Sequence, residues 1–158
     1  MNNSIFVFPK PENEPVLGYK PGSAERKEIR KALDELYNKV TEIPAIIGGK
    51  EVKTKNRGEV VMPTENHHVL ARYHKVGEKE VQAAIAAAMK AQKEWAETPW
   101  MDRASVMLKI ATLISGKYRY LINAATMLGQ GKTTMQAEID SACELVDFLR
   151  YNAFYASQ

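Results

Sequence analysis

Residues 126–140 read TMLGQGKTTMQAEID, and the fold turns on what its centre, Gly-Gln-Gly-Lys-Thr-Thr, is for. Glycines followed by a lysine and a hydroxyl residue invite comparison with a loop that cradles phosphates. Such a loop needs a glycine five positions before the glycine of Gly-Lys-Thr, where this chain has Thr126, and it must leave a buried strand to open a helix. The residues leading in, YRYLINAATM at 118–127, have the apolar spacing of a helix instead. Both requirements fail. Gly129 and Gly131 read better as punctuation that ends one helix and opens the next.

Downstream of that junction, one long helix is expected from about Thr134 toward the end of the chain. Ile139, Ala142, Val146, Leu149 and Ala153 make one apolar stripe, and Leu145, Phe148, Tyr151 and Tyr155 make a second apolar and aromatic face. A helix with so little polar surface expects cover on several sides. It also carries Glu138, Asp140, Glu144 and Asp147 against one basic residue, Arg150. The helix dipole accounts for Glu138 and Asp140 near the start. It does not account for Glu144, in mid-helix beside Phe148 and Tyr151, where a carboxylate wants a cationic partner. By helical spacing Asp140, Glu144 and Asp147 share a face. The two apolar faces, and an end without a capping signal, suggest that the rest of the fold is missing.

Upstream, a short helix is expected over about 118–127, preceded by one capped by Asp102 with Met107, Ile110, Ala111 and Ile114 on its face and ended by Gly116. Before the Thr98-Pro99 break, a helix from Glu78 presents Val81, Ile85, Ala88 and Trp95, and its alanine-rich run permits close packing. The stretch before Glu78 has β character. Short strands are expected around residues 45–53, 59–63 and 69–76, the first containing the turn signal Gly48-Gly49. A first helix starts at Ser23 as cap, carries Ile29, Leu33, Leu36 and Val40 at helical spacing, and is stopped by Pro44. Residues 1–22 hold four of the seven prolines and no periodic pattern, and read as an extended arm lying on some surface. This is a mostly helical chain with about three short strands and five helices, without the strand–helix alternation of a doubly wound sheet.

Bulk properties narrow the class. With 158 residues, 45% hydrophobic and 26% charged, the chain is long enough for one domain with a sizeable core. A net charge of +3, with basic residues scattered among acids, supports no nucleic-acid partner. No apolar run approaches the roughly 20 residues that cross a membrane, and the N-terminal IFVF is too short for a signal peptide. The single cysteine, Cys143, allows no internal disulfide, so a reducing, cytoplasmic compartment is expected.

The remaining candidates for chemistry are few. His67 and His68 are adjacent, so on an extended chain they point to opposite faces and make a poor chelate; no metal site is expected. Cys143 has Glu144 beside it, which raises a thiol pKa, and reads as a buried structural cysteine rather than a nucleophile. Glu144 is left as a contact for a cationic ligand group, or as one half of an internal salt bridge. No residue of the chain makes a complete catalytic constellation.

Four stretches in order carry a resemblance: NEPVLGYKPGSAER, EIPAIIGGKEV, the KEW and DRASVMLKIATLISG run, and MLGQGKTTMQAEIDSACELVDFLRYNAFYA. Over residues 13–156 the chain closely resembles the N-terminal part of the Δ1-pyrroline-5-carboxylate dehydrogenases, or L-glutamate γ-semialdehyde dehydrogenases, a branch of the aldehyde dehydrogenase superfamily. The resemblance implies an α/β aldehyde dehydrogenase-like fold in the complete enzyme, with residues 23–158 as an incomplete N-terminal part of the NAD-binding domain. It implies NAD-dependent oxidation of glutamate γ-semialdehyde to glutamate in proline degradation. In that reaction a cysteine thiolate attacks the aldehyde, hydride passes to the nicotinamide, and water releases the acid. The family's nucleophile, general base, oxyanion asparagine and most of the cofactor site match nothing here, and Cys143 does not match the nucleophile. The chain alone is therefore expected to be inactive. Glu144 matches the acid that the family places near the substrate's α-ammonium group. The partners implied are the remainder of the dehydrogenase polypeptide, the small-molecule substrate and, when complete, other copies in a homo-oligomer. The family's oligomerisation hairpin is expected shortly after Gln158. MPTENHHVLAR and the region before the first long helix match only loosely. The alternative is a free-standing helical interaction module that descends from the dehydrogenase, has no catalysis, and binds a partner through its apolar faces.

Overall fold

The computed structural model describes Phe8 and residues 10–158. Residues 1–7 and 9 of the expected arm lie outside the described residues.

Helix α1 (Ala24–Tyr37) starts where Ser23 accepts a hydrogen bond from the Arg26 backbone N–H at 3.4 Å. It ends earlier than its apolar spacing suggests. The Asn38 backbone N–H and side-chain amide both donate to the Asp34 carbonyl, at 3.1 and 2.8 Å, so Val40 falls outside the helix and is exposed. The chain then forms β1 (Thr41–Ile43), β2 (Ala45–Ile47), β3 (Lys50–Val52), β4 (Arg57–Met62) and β5 (Glu65–His74). The run expected as one strand over 45–53 is a hairpin, β2 against β3, turned at Gly48 and Gly49. Both glycines have positive φ, 57° and 77°, as a tight hairpin turn requires. Strand β1, too short and too polar to show in the sequence, pairs parallel with β5, and β4 pairs antiparallel with β5, giving the order β1-β5-β4. TENHH does not separate two strands: Pro63 and Thr64 make the turn and β5 starts at Glu65.

Helices α2 (Glu78–Glu97), α3 (Trp100–Ser115), α4 (Arg119–Gln130) and α5 (Thr134–Ala137) follow. Asp102 is not the cap of α3. Pro99 occupies that position with φ −50°, and its carbonyl accepts from the Asp102 N–H at 3.0 Å, which puts Asp102 inside the first turn, where the dipole favours an acid. After α5 the helix widens into a π segment (Glu138–Cys143) and resumes as α6 (Glu144–Tyr155). The wider turn shifts the helical register, so Ile139 leaves the expected stripe and is exposed, while Ala142, Val146 and Ala153 stay buried.

Two apolar clusters hold these elements together. Tyr19, Ile29 and Ala124 pack with Leu17, Leu33, Leu36, Tyr120 and Met127, joining the arm to α1 and α4. Ala111, Ile114 and Val146 pack with Ile122 and Leu149, joining α3 to α6. Full burial of a side chain the size of Val146 contributes roughly 1.5–3 kcal/mol. Helix α2 buries no residue; its expected face, Val81, Ile85 and Trp95, lies open, with Ile85 51% exposed.

Candidate functional site

The Gly-Gln-Gly-Lys-Thr-Thr stretch is a helix–helix connection. Gly131 caps α4 in the left-handed conformation, φ 67° and ψ 25°. Thr133 caps α5, with reciprocal bonds to Gln136. The Lys132 ammonium is paired with Asp140, so no free lysine faces a phosphate. Gly129 lies inside α4 rather than beyond its end.

That connection delivers four acids onto one helical run, and the structure gives each a different environment. Asp140 holds Lys132. Glu138 is fully buried, with 0% exposure, beside Arg119 at 4%. The Arg119 guanidinium forks onto the Glu138 carboxylate, with Nε at 3.2 and 3.3 Å from its two oxygens and Nη2 in direct contact with Oε1. The Tyr19 hydroxyl donates to Glu138 Oε2 at 2.6 Å, the Asn123 amide at 2.7 Å, and the Leu17 N–H to Oε1 at 2.8 Å. Burial opposes ionisation of Glu138, yet these donors, Arg119 first, hold its carboxyl below the ordinary carboxylate range. Burial and the Glu138 carboxylate push the Tyr19 phenol well above its ordinary value.

The network fastens the arm to the helices. Arg119 also donates to Glu14 Oε1 at 2.5 Å and to the Pro15 carbonyl at 2.7 Å, while Arg150 holds the other Glu14 oxygen at 2.7 Å. Asp147 accepts from the Glu14 N–H and from the Asn13 amide, both at 2.7 Å. The Tyr151 hydroxyl donates to Asn13 Oδ1 at 3.2 Å.

Glu144 has neither a hydrogen bond nor an ion pair among the described residues, so the internal salt bridge considered for it does not form there. Its carboxylate is exposed and lines an open pocket of about 430 Å³ with Asn13, Asp147, Phe148 and Tyr151. The pocket offers an unpaired acid between aromatic walls and no basic side chain, an arrangement that suits a small cation.

The other sequence candidates lie elsewhere. Cys143 is buried against the network, with Arg119 Nη2 at 3.5 Å and Glu138 Oε1 at 3.8 Å. Burial and the Glu138 charge push its thiol up to about 11, too high for a thiolate nucleophile at neutral pH. His68 stacks on Tyr37 at 4.0 Å, and His67 is exposed. Among the described residues no group of three or more His, Cys, Asp or Glu side chains is placed to hold a metal ion. No helix there is long and apolar enough to cross a membrane. The sequence reading missed the Arg119–Glu138 pair because an acid at a helix start already had an explanation. The available signal was Arg119 itself, the one charge on α4, at its head.

A profile of the aldehyde dehydrogenase family matches residues 51–158. The chain is 50% identical over 154 residues to a probable delta-1-pyrroline-5-carboxylate dehydrogenase of Schizosaccharomyces pombe, covering 97% of this chain and 28% of the relative. It is 48% identical over 154 residues to the mitochondrial delta-1-pyrroline-5-carboxylate dehydrogenase of Emericella nidulans, covering 97% of this chain and 27% of that one. Among solved structures, it superposes with a TM-score of 0.96 at 40% identity on the Mycobacterium tuberculosis delta-pyrroline-5-carboxylate dehydrogenase bound with NAD, over 99% of this chain and 30% of that one. The chain thus spans less than a third of the length of these relatives.

Proposed function

The chain belongs to the aldehyde dehydrogenase family, and on that premise we propose that it is the N-terminal portion of an NAD-dependent dehydrogenase that oxidises L-glutamate γ-semialdehyde to L-glutamate in proline degradation. The observation that carries this reading is the likeness along nearly the whole chain to dehydrogenases of that specificity. Residues 23–158 would form the leading part of the NAD-binding domain, and residues 1–22 the arm laid across it. The remaining polypeptide would cover the open faces of α2, α3 and α6, and further copies would complete an oligomer. The interaction-module alternative explains the open faces equally, but it gives no role to an unpaired acid in an aromatic pocket.

The residues present do not themselves make a cofactor site. Among the described residues there is no strand–helix–strand crossover with a glycine loop facing a phosphate, and Lys132 is taken by Asp140. NAD would bind through later segments and supply the hydride acceptor there. The nucleophile would also lie later, since Cys143 is buried and held protonated. This chain's contribution would be binding: Glu144 would take the α-ammonium group of the amino-acid aldehyde, and Phe148 and Tyr151 would flank its carbon chain. The compartment we assign is a reducing one, the cytoplasm, which suits the free buried thiol; the Emericella nidulans relative is named mitochondrial.

The test is Glu144→Ala in the complete dehydrogenase. KM for glutamate semialdehyde should rise about tenfold or more, the loss of one charge-assisted contact, with KM for NAD unchanged. Unchanged aldehyde kinetics would remove Glu144 from the site.

A further inference from the structure

Glu144, Asp147 and Tyr151 follow one another along one face of α6, at the spacing that makes helical neighbours. Two carboxylates one turn apart would ordinarily compete for the same cation. Here they are made different by the arm. Both oxygens of Asp147 are occupied, Oδ1 by the Glu14 N–H and Oδ2 by the Asn13 amide, each at 2.7 Å. The same Asn13 side chain accepts the Tyr151 hydroxyl at 3.2 Å. One amide therefore takes the second oxygen of the neighbouring acid and holds the hydroxyl on the aromatic wall of the Glu144 pocket. Asn13 is itself exposed, and among the described residues the bonds of its side chain run only to this pocket wall. Its place is set by the next residue, Glu14, which Arg119 and Arg150 grip at 2.5 and 2.7 Å. The buried network fixes the arm, and Asn13 presents the result to the pocket.

We propose that Asn13 is a specificity-determining positioning residue, which reserves cation binding for Glu144 by occupying Asp147 and orienting Tyr151. This rests on the reading of Glu144 given above. Without Asn13, Asp147 regains a free oxygen about one helical turn from Glu144, roughly 5 Å along the axis. An ammonium group could then settle there, out of register with the reacting end of the molecule.

The experiment uses the complete dehydrogenase and its Asn13→Ala, Tyr151→Phe, doubly substituted and Glu144→Ala forms. Two aldehydes are compared: glutamate γ-semialdehyde, and glutarate semialdehyde, the same chain without the amino group. For Asn13→Ala, kcat for the amino aldehyde should fall about threefold to tenfold, because an ammonium held at Asp147 ties up the enzyme out of register even at saturation. Its KM for NAD should stay within about twofold, and glutarate semialdehyde, which has no ammonium group to misplace and loses only the alignment of Tyr151, should be impaired clearly less than the amino aldehyde. The double variant should be no worse than Asn13→Ala alone, because there the Tyr151 hydroxyl has already lost its acceptor. If Glu144→Ala impairs the amino aldehyde and Asn13→Ala does not, the positioning role is overturned while the Glu144 reading stands. If Asn13→Ala impairs both aldehydes equally or raises KM for NAD, or if the double variant is worse than Asn13→Ala alone, Asn13 is merely structural and the proposal fails. If Glu144→Ala leaves the amino aldehyde unaffected, both ideas fall together.

Discussion

Glu138 and Glu144 are the same residue type on the same helical run, and their surroundings assign them opposite work. Glu138 is sealed behind the arm, and its charge is balanced by Arg119 and by donors from Tyr19, Asn123 and Leu17. Removing one half of such a pair leaves the other charge buried and uncompensated, which costs about 3–5 kcal/mol. Glu138→Gln should therefore lower the Tm of the complete polypeptide clearly. The sign of the pH effect follows from the depressed carboxyl. The pair's contribution is fully present above the unfolded-state value near 4.5, and it is lost as pH falls from there through the lower folded-state value. Below about pH 4.5, the wild type should lose more thermal stability on further acidification than Glu138→Gln; equal losses would show that the pair does not carry acid sensitivity. Glu144, in contrast, has given up nothing to folding, and its substitution should leave Tm within about 2 °C, an ordinary surface effect.

At the scale of elements, the junction between α4 and α5 tests the reading of the glycines most sharply. Gly131 sits at φ 67°, where a Cβ costs about 1–2 kcal/mol, whereas Gly129 lies in a helix with open space around its Cα. Gly131→Ala should lower Tm, and Gly129→Ala should leave it unchanged or raise it; the reverse order would contradict the cap. This junction was legible because a missing glycine and a helical lead-in are local facts. The helical stretches around α1, α3 and α4 were legible for the same reason, through their apolar spacing. The π segment was not: six residues with i→i+5 bonds leave no periodicity that sets them apart from an α-helix. Strand β1 was hidden because its pairing with β5 is parallel and long-range, and its three residues have only Ile43 as a large apolar side chain. The apolar face expected of α2 stays open because the helix touches the described residues only lightly, along β2 near Gly48 and Ala87, and buries no residue. At the site, Glu144 could be singled out as an acid that helix electrostatics left unexplained. Asn13 could not, because the role proposed for it depends on the arm folding back across the chain.

At the scale of the whole molecule, the distribution of apolar surface is the feature that any account must answer. Ile46, Ile85, Met89, Phe148 and Tyr155 are all large and exposed, with Phe148 at 62%, and they fall on several elements rather than one patch. A surface of this kind is rare on a protein that works alone. The relatives offer the simplest cover, since this chain accounts for 28% of the Schizosaccharomyces pombe sequence and 30% of the Mycobacterium tuberculosis structure. The proposed dehydrogenase therefore requires more polypeptide than these 158 residues. The most direct test is the intact mass of the native protein that carries this sequence. The account predicts a mass about three to four times the 17.7 kDa of this chain, in keeping with a relative of which it covers 28%. A native mass of 17.7 kDa would contradict it and turn the open faces into the binding surface of a free-standing module.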